Sequence, residues 1–255
     1  MPIWDICTSA EIGELVRSGM DMAVLPVGAT EQHGPHLGTG TDTISAAWVA
    51  QQAGERAGVL ILPAIPYGCS LGHTEQWPGT ISLNPMTLTQ VVLEVARWTL
   101  KSGIRRMIFF SGHATNAPSL SSAVLQLRYE EPRARFRQLG IWEISPRVRD
   151  LYTRDGEDVH ANRGETSVLL HAAPTMVRLE HVFDVPDVTP GRIWSYDMPS
   201  TTPTGVVGRP SEESAEDGAM MAGILVEDFA ALLRAGLSEE WPKVPAAPAG
   251  RSPSP

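Results

Sequence analysis

Residues 22–27 read MAVLPV, and the nine that follow, 28–36, read GATEQHGPH. The first six form an unbroken apolar run with the length of a strand buried on both faces. Gly28, Gly34 and Pro35 break regular structure, so the polar residues among them belong to a loop. Thr41-Asp42-Thr43 then leads into helical spacing over 43–52. Strand, polar loop and helix in that order begin a βαβ unit.

The pattern recurs along the chain. Apolar runs at 59–62 (VLIL), 107–110 (MIFF) and 139–142 are expected strands. Helical spacing spans 86–100, where Leu88, Val92, Val95 and Thr99 share a face after Asn84-Pro85. It also spans 117–129, with Leu120, Val124 and Leu127 in register. Strands separated by helices of this length predict an α/β fold with a parallel sheet. Residues 185–210, rich in Pro, Gly, Ser and Thr and carrying Trp194 and Tyr196, read as a long irregular loop, either a lid or a surface connection. Residues 212–233 read as a long helix with acids in its first turns.

In such a sheet, ligands bind where loops leave the carboxyl ends of strands. Four polar clusters fall there. The first holds Glu31, His33 and Asp42, and the second, Ser111-Gly112-His113-Ala114-Thr115-Asn116, follows the MIFF run. The third is Asp158-Val159-His160-Ala161-Asn162-Arg163-Gly164-Glu165, before an apolar helix start. The fourth runs from Tyr67 through Cys69, Ser70 and His73 to Trp77-Pro78-Gly79-Thr80. A lone Glu-x-His is a common polar-loop pattern. However, five of the seven histidines lie in these four segments, with only His171 and His181 outside. Glu31, Asp42 and Glu165 with His33 and His113 make three carboxylates and two imidazoles. That set suits two divalent cations, Zn2+ or Mn2+, with one carboxylate between them. Tyr67, His73 and Trp77 are candidate walls of a substrate pocket.

Composition excludes several alternatives. The 255 residues are 42% hydrophobic, enough for a sizeable core. The net charge is −9, with lysine only at 101 and 243, so no basic stripe offers itself to nucleic acid. Two cysteines, Cys7 and Cys69, are too few for a disulfide framework. No apolar run approaches the ~20 residues of a membrane span. Met1 to Asp5 lacks the basic-then-apolar pattern of a secretory leader, so a cytoplasmic protein is expected. Gly-x-Gly-x-x-Gly, a Walker lysine loop and the Gly-x-Ser-x-Gly frame are all missing from the sequence. Residues 1–240 are expected to form a single domain, with 241–255, rich in Pro, Ala and Ser, a disordered tail.

Thr30-Glu31-Gln32-His33-Gly34-Pro35-His36-Leu37 with Thr41-Asp42-Thr43 resembles the signature of the creatininase (creatinine amidohydrolase) family. Ser111 to Asn116 is similar to its Asn-Gly-His-x-x-Asn segment, and His160 to Ser167 to its His-Ala-Gly-x-x-Glu-Thr-Ser segment. Trp77-Pro78-Gly79-Thr80 resembles its aromatic-Pro-Gly-Thr turn, and Gly205-Val206-Val207-Gly208 a late Gly-Val-x-Gly. The motifs come in family order over roughly residues 20–235. The resemblance implies a three-layer α/β/α fold, hydrolysis of a C–N bond in a small molecule or short peptide, and a homohexamer. It implies that Glu31 and His113 hold one metal, that His33 and Glu165 hold the other, and that Asp42 bridges. It sets His160 in proton transfer and Trp142 in the substrate pocket. Zn2+ is the expected ion, with Mn2+ in one site of some members. Two positions depart from the pattern. Thr115 stands where creatinine-cleaving members carry a glutamate, which makes creatinine a poor fit. Asn162 stands where glycine is usual. The His160–Ser167 segment is most similar to the family's mycofactocin-maturation peptidases, which share Arg163.

Overall fold

The computed structural model describes residues 3–73 and 75–243, so most of the expected tail, 244–255, lies outside the described residues. Four parallel strands form the sheet: β1 (Met22–Val27), β2 (Leu60–Ile61), β3 (Arg106–Ser111) and β4 (Arg135–Gly140), in the order β2-β1-β3-β4. Eight α-helices accompany them among the described residues. They are α1 (Ser9–Arg17), α2 (Thr41–Ala57), α3 (Pro85–Lys101), α4 (Ala117–Glu130), α5 (Pro146–Tyr152), α6 (Arg163–Ala172), the short α7 (Met198–Thr201) and α8 (Ala215–Ser238).

The helices cover both faces of the sheet. On one face Val24, Ile108 and Phe110 pack against α2, α5, α6 and α8. On the other, Leu25, Met107 and Phe109 pack against α3 and α4. Adjacent strand residues therefore feed opposite cores, which is why MAVLPV and MIFF are apolar throughout. Burying Phe109 and Phe110 fully contributes about 1.5–3 kcal/mol each.

Pro26 sits in a central strand, a position proline normally avoids because it cannot donate to the ladder. Its carbonyl accepts from the Ile65 nitrogen, on the side where β2 has already ended. No donor is therefore missed.

Helix ends follow local chemistry. The side chain of Asn84 caps α3 through the Met86 nitrogen, Asn162 caps α6 through Glu165, and Ser214 caps α8 through Asp217. The helix expected over 212–233 begins and ends a few residues later. The last strand differs from expectation: β4 is Arg135–Gly140, not 139–142. It is an edge strand with Arg135 and Arg137 in alternation, so only Leu139 and Gly140 read as buried. The Glu143 carboxylate accepts from the Gly140 nitrogen at 2.7 Å and turns Ile141–Glu143 into a 3-10 turn. Residues 185–210 are irregular apart from α7, although Val206 and Val207 are fully buried.

The chain runs from β1 to β2, then crosses β1 to reach β3. Strand order thus reverses between β1 and β3, and a crevice opens at their carboxyl ends.

Candidate metal centre

Glu31 and His33 lie on the loop leaving β1. The loop is tied by a bond from the Glu31 nitrogen to the Thr39 carbonyl (2.8 Å) and by Thr43 Oγ1 donating to the Ala29 carbonyl (3.1 Å). Asp42 occupies the first turn of α2, where the helix dipole favours an anion. His113 follows β3. Gly112 lets the two meet: a Cβ there would lie 2.1 Å from the Asp42 carbonyl oxygen. Glu165 sits in the first turn of α6, its nitrogen bonded to the Asn162 side chain at 3.1 Å. His160 precedes that helix and exchanges two backbone bonds with Val207 (2.9 and 2.8 Å). Between them Ala161 adopts φ 51°, the one non-glycine residue with positive φ among the described residues.

These residues converge. His33 Nε2 lies 3.1 Å from Asp42 Oδ1 and 4.0 Å from Glu165 Oε1. His113 Nδ1 lies 3.3 Å from Asp42 Oδ2, and its Nε2 lies 3.0 Å from Glu31 Oε2. Asp42 thus spans the two imidazoles. All five residues are buried, Glu31 completely and Glu165 at 8% exposure. Glu165 Oε2 has no hydrogen-bond partner, and the groups that meet both oxygens of Glu31 and Oδ2 of Asp42 are imidazole nitrogens, those of His73, His113 and His160. Buried carboxylates crowded in this way are costly unless positive charge sits among them, from a bound cation or from protonated imidazoles. Three sets of ligand atoms lie within 4.8 Å of one another: Glu31/His73/His160, His33/His160/Glu165 and Glu31/His33/Asp42. The site therefore fits divalent cations, and its oxygen and imidazole donors suit Zn2+ or Mn2+.

Electrostatics follow from the crowding. Burial opposes charge on His33, but Asp42, Glu165 and Glu31 override it and lift it to about 10. Burial also opposes charge on His113, and Glu31 and Asp42 carry it well above the usual value. Burial works against ionisation of Glu31 and Asp42 too, yet the facing imidazoles hold both below the usual carboxylate range. Glu165 differs: burial, with Asp42 and Glu31 nearby, raises it to about 7 against the pull of His33. Burial and then the charge of His33 push His160 down to about 3, so it is neutral near pH 7.

Gln32, for which no role was expected, organises the imidazoles. Its backbone carbonyl lies 2.8 Å from His160 Nε2, which fixes that nitrogen as the donor and leaves Nδ1 as an acceptor 3.5 Å from Glu31 Oε1. Its side-chain Nε2 lies 3.0 Å from His73 Nδ1. Gly205 (φ 79°) makes room, because a Cβ there would lie 2.0 Å from the Gln32 amide oxygen. The only sequence signal for Gln32 was its place between Glu31 and His33.

A cavity of about 170 Å3 opens onto the cluster. Of the expected wall residues, His73, Thr115 and Trp142 line it, while Tyr67 (44% exposed) and Trp77 do not. Trp77 lies outside, its ring tilted 56° to that of His73 at 6.4 Å, and His73 itself reaches Glu31 Oε1 at 3.0 Å. Thr115 donates to the Cys69 carbonyl and lies 2.6 Å from His113 Nε2. Asp158, the first residue of the third polar cluster, also lines the cavity, as do Tyr152, Glu157 and Met198, which had no pattern to announce them. Trp194 and Tyr196 are exposed and lie away from it.

Asn162, the departure from glycine, is structural as well as a cap. It donates to the Tyr152 carbonyl (2.8 Å) and to Asp155 (2.7 Å). Asp155 also accepts from the backbone nitrogens of Arg163 (3.1 Å) and Arg209 (2.7 Å). Asp155 thereby latches the segment carrying His160 and Glu165. Arg163, buried and bonded to the Glu212 carbonyl and to Asp217, joins α6 to α8 rather than entering the cavity.

Comparison with known proteins is consistent with this geometry. Residues 5–233 match the family described as Creatininase: Creatinine amidohydrolase. The mycofactocin precursor peptide peptidase of Mycolicibacterium smegmatis is 34% identical over 218 residues, 80% of each chain. The creatinine amidohydrolase of Pseudomonas putida is 31% identical over 244 residues, 89% of this chain and 92% of that one. The solved structure described as Creatininase Mn superposes with a TM-score of 0.80 at 28% identity, covering 93% of this chain and 99% of that one. No helix of the described residues is long and apolar enough to cross a membrane.

Proposed function

The chain belongs to the creatininase family, and from that premise we propose that it is a metal-dependent hydrolase of an amide, cyclic amide or formamide bond in a small molecule. We read residues 1–240 as one amidohydrolase domain working in the cytoplasm as a homohexamer. The observation that carries the reading is the convergence of three buried carboxylates on the imidazoles of His33 and His113, with Glu165 Oε2 left without a partner.

Glu31 and His113 would hold one cation and His33 and Glu165 the other, with Asp42 shared. Zn2+ suits both positions, and Mn2+ suits one. Such a pair, when bound, supplies Lewis acidity that polarises a carbonyl and makes water a nucleophile near neutral pH. The chain's own contribution starts with His160. With Nε2 held by the Gln32 carbonyl and Nδ1 left as an acceptor, it takes the proton of the attacking water and returns it to the leaving nitrogen. Gln32 holds that imidazole in the tautomer the transfer needs. Trp142 and Tyr152 wall the cavity and position the substrate carbonyl above the carboxylates. Thr115 cannot move a proton near neutral pH, and its hydroxyl is engaged with Cys69, so creatinine is the poorer substrate.

A second reading, cleavage of a short peptide, is supported by the 34% identity to the mycobacterial peptidase and by the resemblance of the His160–Ser167 segment to that group. The deciding experiment is metal analysis of the purified protein with a panel of formamides, cyclic amides and short peptides. Two equivalents of divalent metal per chain and chelator-sensitive turnover of a non-peptide amide are expected. A metal-free protein inert towards the whole panel overturns the proposal.

A further inference from the structure

One corner of the centre lies outside the two ligand sets assigned above. Glu31 turns Oε2 towards His113 (3.0 Å), but its other oxygen, Oε1, faces two imidazoles that belong to neither set: His73 Nδ1 at 3.0 Å and His160 Nδ1 at 3.5 Å. The three atoms lie within 4.8 Å of one another. Ligand atoms bound about 2.0–2.1 Å from a tetrahedral Zn2+ stand ~3.3–3.4 Å apart, a spacing that the two contacts to Oε1 straddle. Neither imidazole offers Oε1 a proton. His160 Nε2 carries its hydrogen to the Gln32 carbonyl (2.8 Å), so its Nδ1 is bare. The Gln32 side chain is oriented by the Gly34 nitrogen, which donates to its amide oxygen (3.0 Å). Its Nε2 is therefore the donor that meets His73 Nδ1 at 3.0 Å, and that nitrogen is bare too. Three acceptors thus converge where Glu31 is 0% exposed and His73 and His160 are 6% exposed each, an arrangement that is repulsive unless a cation lies among them. The two rings hold the spacing, edge to face at 4.9 Å. All three residues line the cavity, which gives an ion its way in.

We propose that Glu31 Oε1, His73 Nδ1 and His160 Nδ1 form a third cation site, weaker than the two that Asp42 joins, and that its filling by excess Zn2+ stops proton transfer at His160. The ion takes the His73 lone pair from the Gln32 amide, which keeps the Gly205 carbonyl (3.5 Å) as an acceptor. A nitrogen lone pair that binds a metal accepts no proton from water, so His160 Nδ1 serves either as base or as ligand. The site is the weaker one because it shares Glu31 with a resident cation, and like charges this close repel. The binding rests on these three atoms alone, whereas the loss of rate rests on the hydrolase reading above.

The test titrates ZnCl2 into protein that already holds two equivalents of Zn2+, followed by calorimetry and equilibrium dialysis. A third, weaker equivalent is expected. As it binds, kcat for whichever amide the protein cleaves should fall by ~10²-fold or more, and it should return when a chelating buffer lowers free Zn2+. His73→Phe keeps a ring but no ligand. It should retain two equivalents and weaken the third by more than about a hundredfold, beyond the ~10–100-fold that losing a partner behind a ligand costs. Inhibition of that variant, judged against its own rate at two equivalents, should vanish over the same range of Zn2+. His160→Ala should lose the third equivalent as well, which separates ligation from a disturbance local to His73. Should His73→Phe melt early, Co2+ is used instead: its third equivalent adds a visible absorption band in the unsubstituted protein and none in His160→Ala. A titration that ends at two equivalents, a third equivalent unchanged in both variants, or a filled third site without inhibition overturns the proposal and leaves the hydrolase reading standing. If no amide is cleaved, stoichiometry decides: a third equivalent lost in both variants supports the site even as the hydrolase reading fails.

Discussion

The two ends of the sheet use charged residues in opposite ways. At the amino end, Arg106 donates to the carbonyls of Gly236 and Leu237, and Arg135 to that of Glu239, so the cations close the end of α8. At the carboxyl end, Glu31, Asp42 and Glu165 are buried together against imidazoles, and Glu165 Oε2 has no partner. The amino end even has the larger cavity, about 320 Å3 between Met22, Phe136 and Leu232, but Arg106 and Arg135, which line it, are already bonded to backbone carbonyls. Pocket size therefore does not locate the chemistry here. Converging buried carboxylates and imidazoles do, because a bound cation compensates the cost of burying so many acids together.

Substitutions on the two ends should differ accordingly. Asp42→Ala is the largest expected effect: turnover falls below detection and both cations are lost, read by metal analysis beside the assay. An Asp42→Ala protein with full metal content and rate would dissolve the contrast between the ends. His160→Ala should keep its metal and lose ~10²–10⁴-fold in kcat; if metal leaves instead, His160 is a ligand, as its 3.5 Å approach to Glu31 would permit.

Protonation gives a third handle. His33, raised to about 10, and His113, raised well above its usual value, carry protons at pH 7 in the metal-free protein. Ligation requires those nitrogens bare, so Zn2+ uptake should release protons, and affinity should fall about tenfold per pH unit for each proton displaced. An indicator dye in weakly buffered solution reads the release, and pH-independent uptake would count against these imidazoles as ligands. A smaller, paired effect distinguishes latch from cap. Asp155→Ala should cost about 2–3 kcal/mol and roughly tenfold in kcat, with Asp155→Asn partly restoring both. Arg106→Ala should cost about 1 kcal/mol in denaturant unfolding and leave kcat unaltered.

Sequence made the carboxyl end legible because post-strand loops carry ligands and histidines concentrated there. The continuous apolar runs of β1 and β3 could be read directly, since both faces of these strands are covered. The edge strand β4 could not, because Arg135 and Arg137 face outward and only its last residues are buried. Within the site, Glu31, His33, Asp42, His113 and Glu165 come together from three distant stretches. Gln32 escaped notice because its work is done partly by a backbone carbonyl, which no residue type announces. Tyr67 and Trp77 were judged by neighbourhood in sequence, whereas the wall is built by Trp142 and Tyr152 from the 3-10 turn and α5. Glu157 and Asp158 belong to a turn whose direction is set by Asp187, thirty residues on in the case of Glu157.

Asp42 belongs at once to the centre and to the first turn of α2, a helix that packs along α8 and α6. A cation held by Asp42 and Glu165 therefore fastens α2 to α6 like a rivet through two plates, and the unfolded chain has no comparable grip on it. Saturating metal at a hundred times its dissociation constant adds about 2.7 kcal/mol to the folded state by mass action alone. The native ion should thus be recognisable without any substrate, as the metal that raises the melting temperature most.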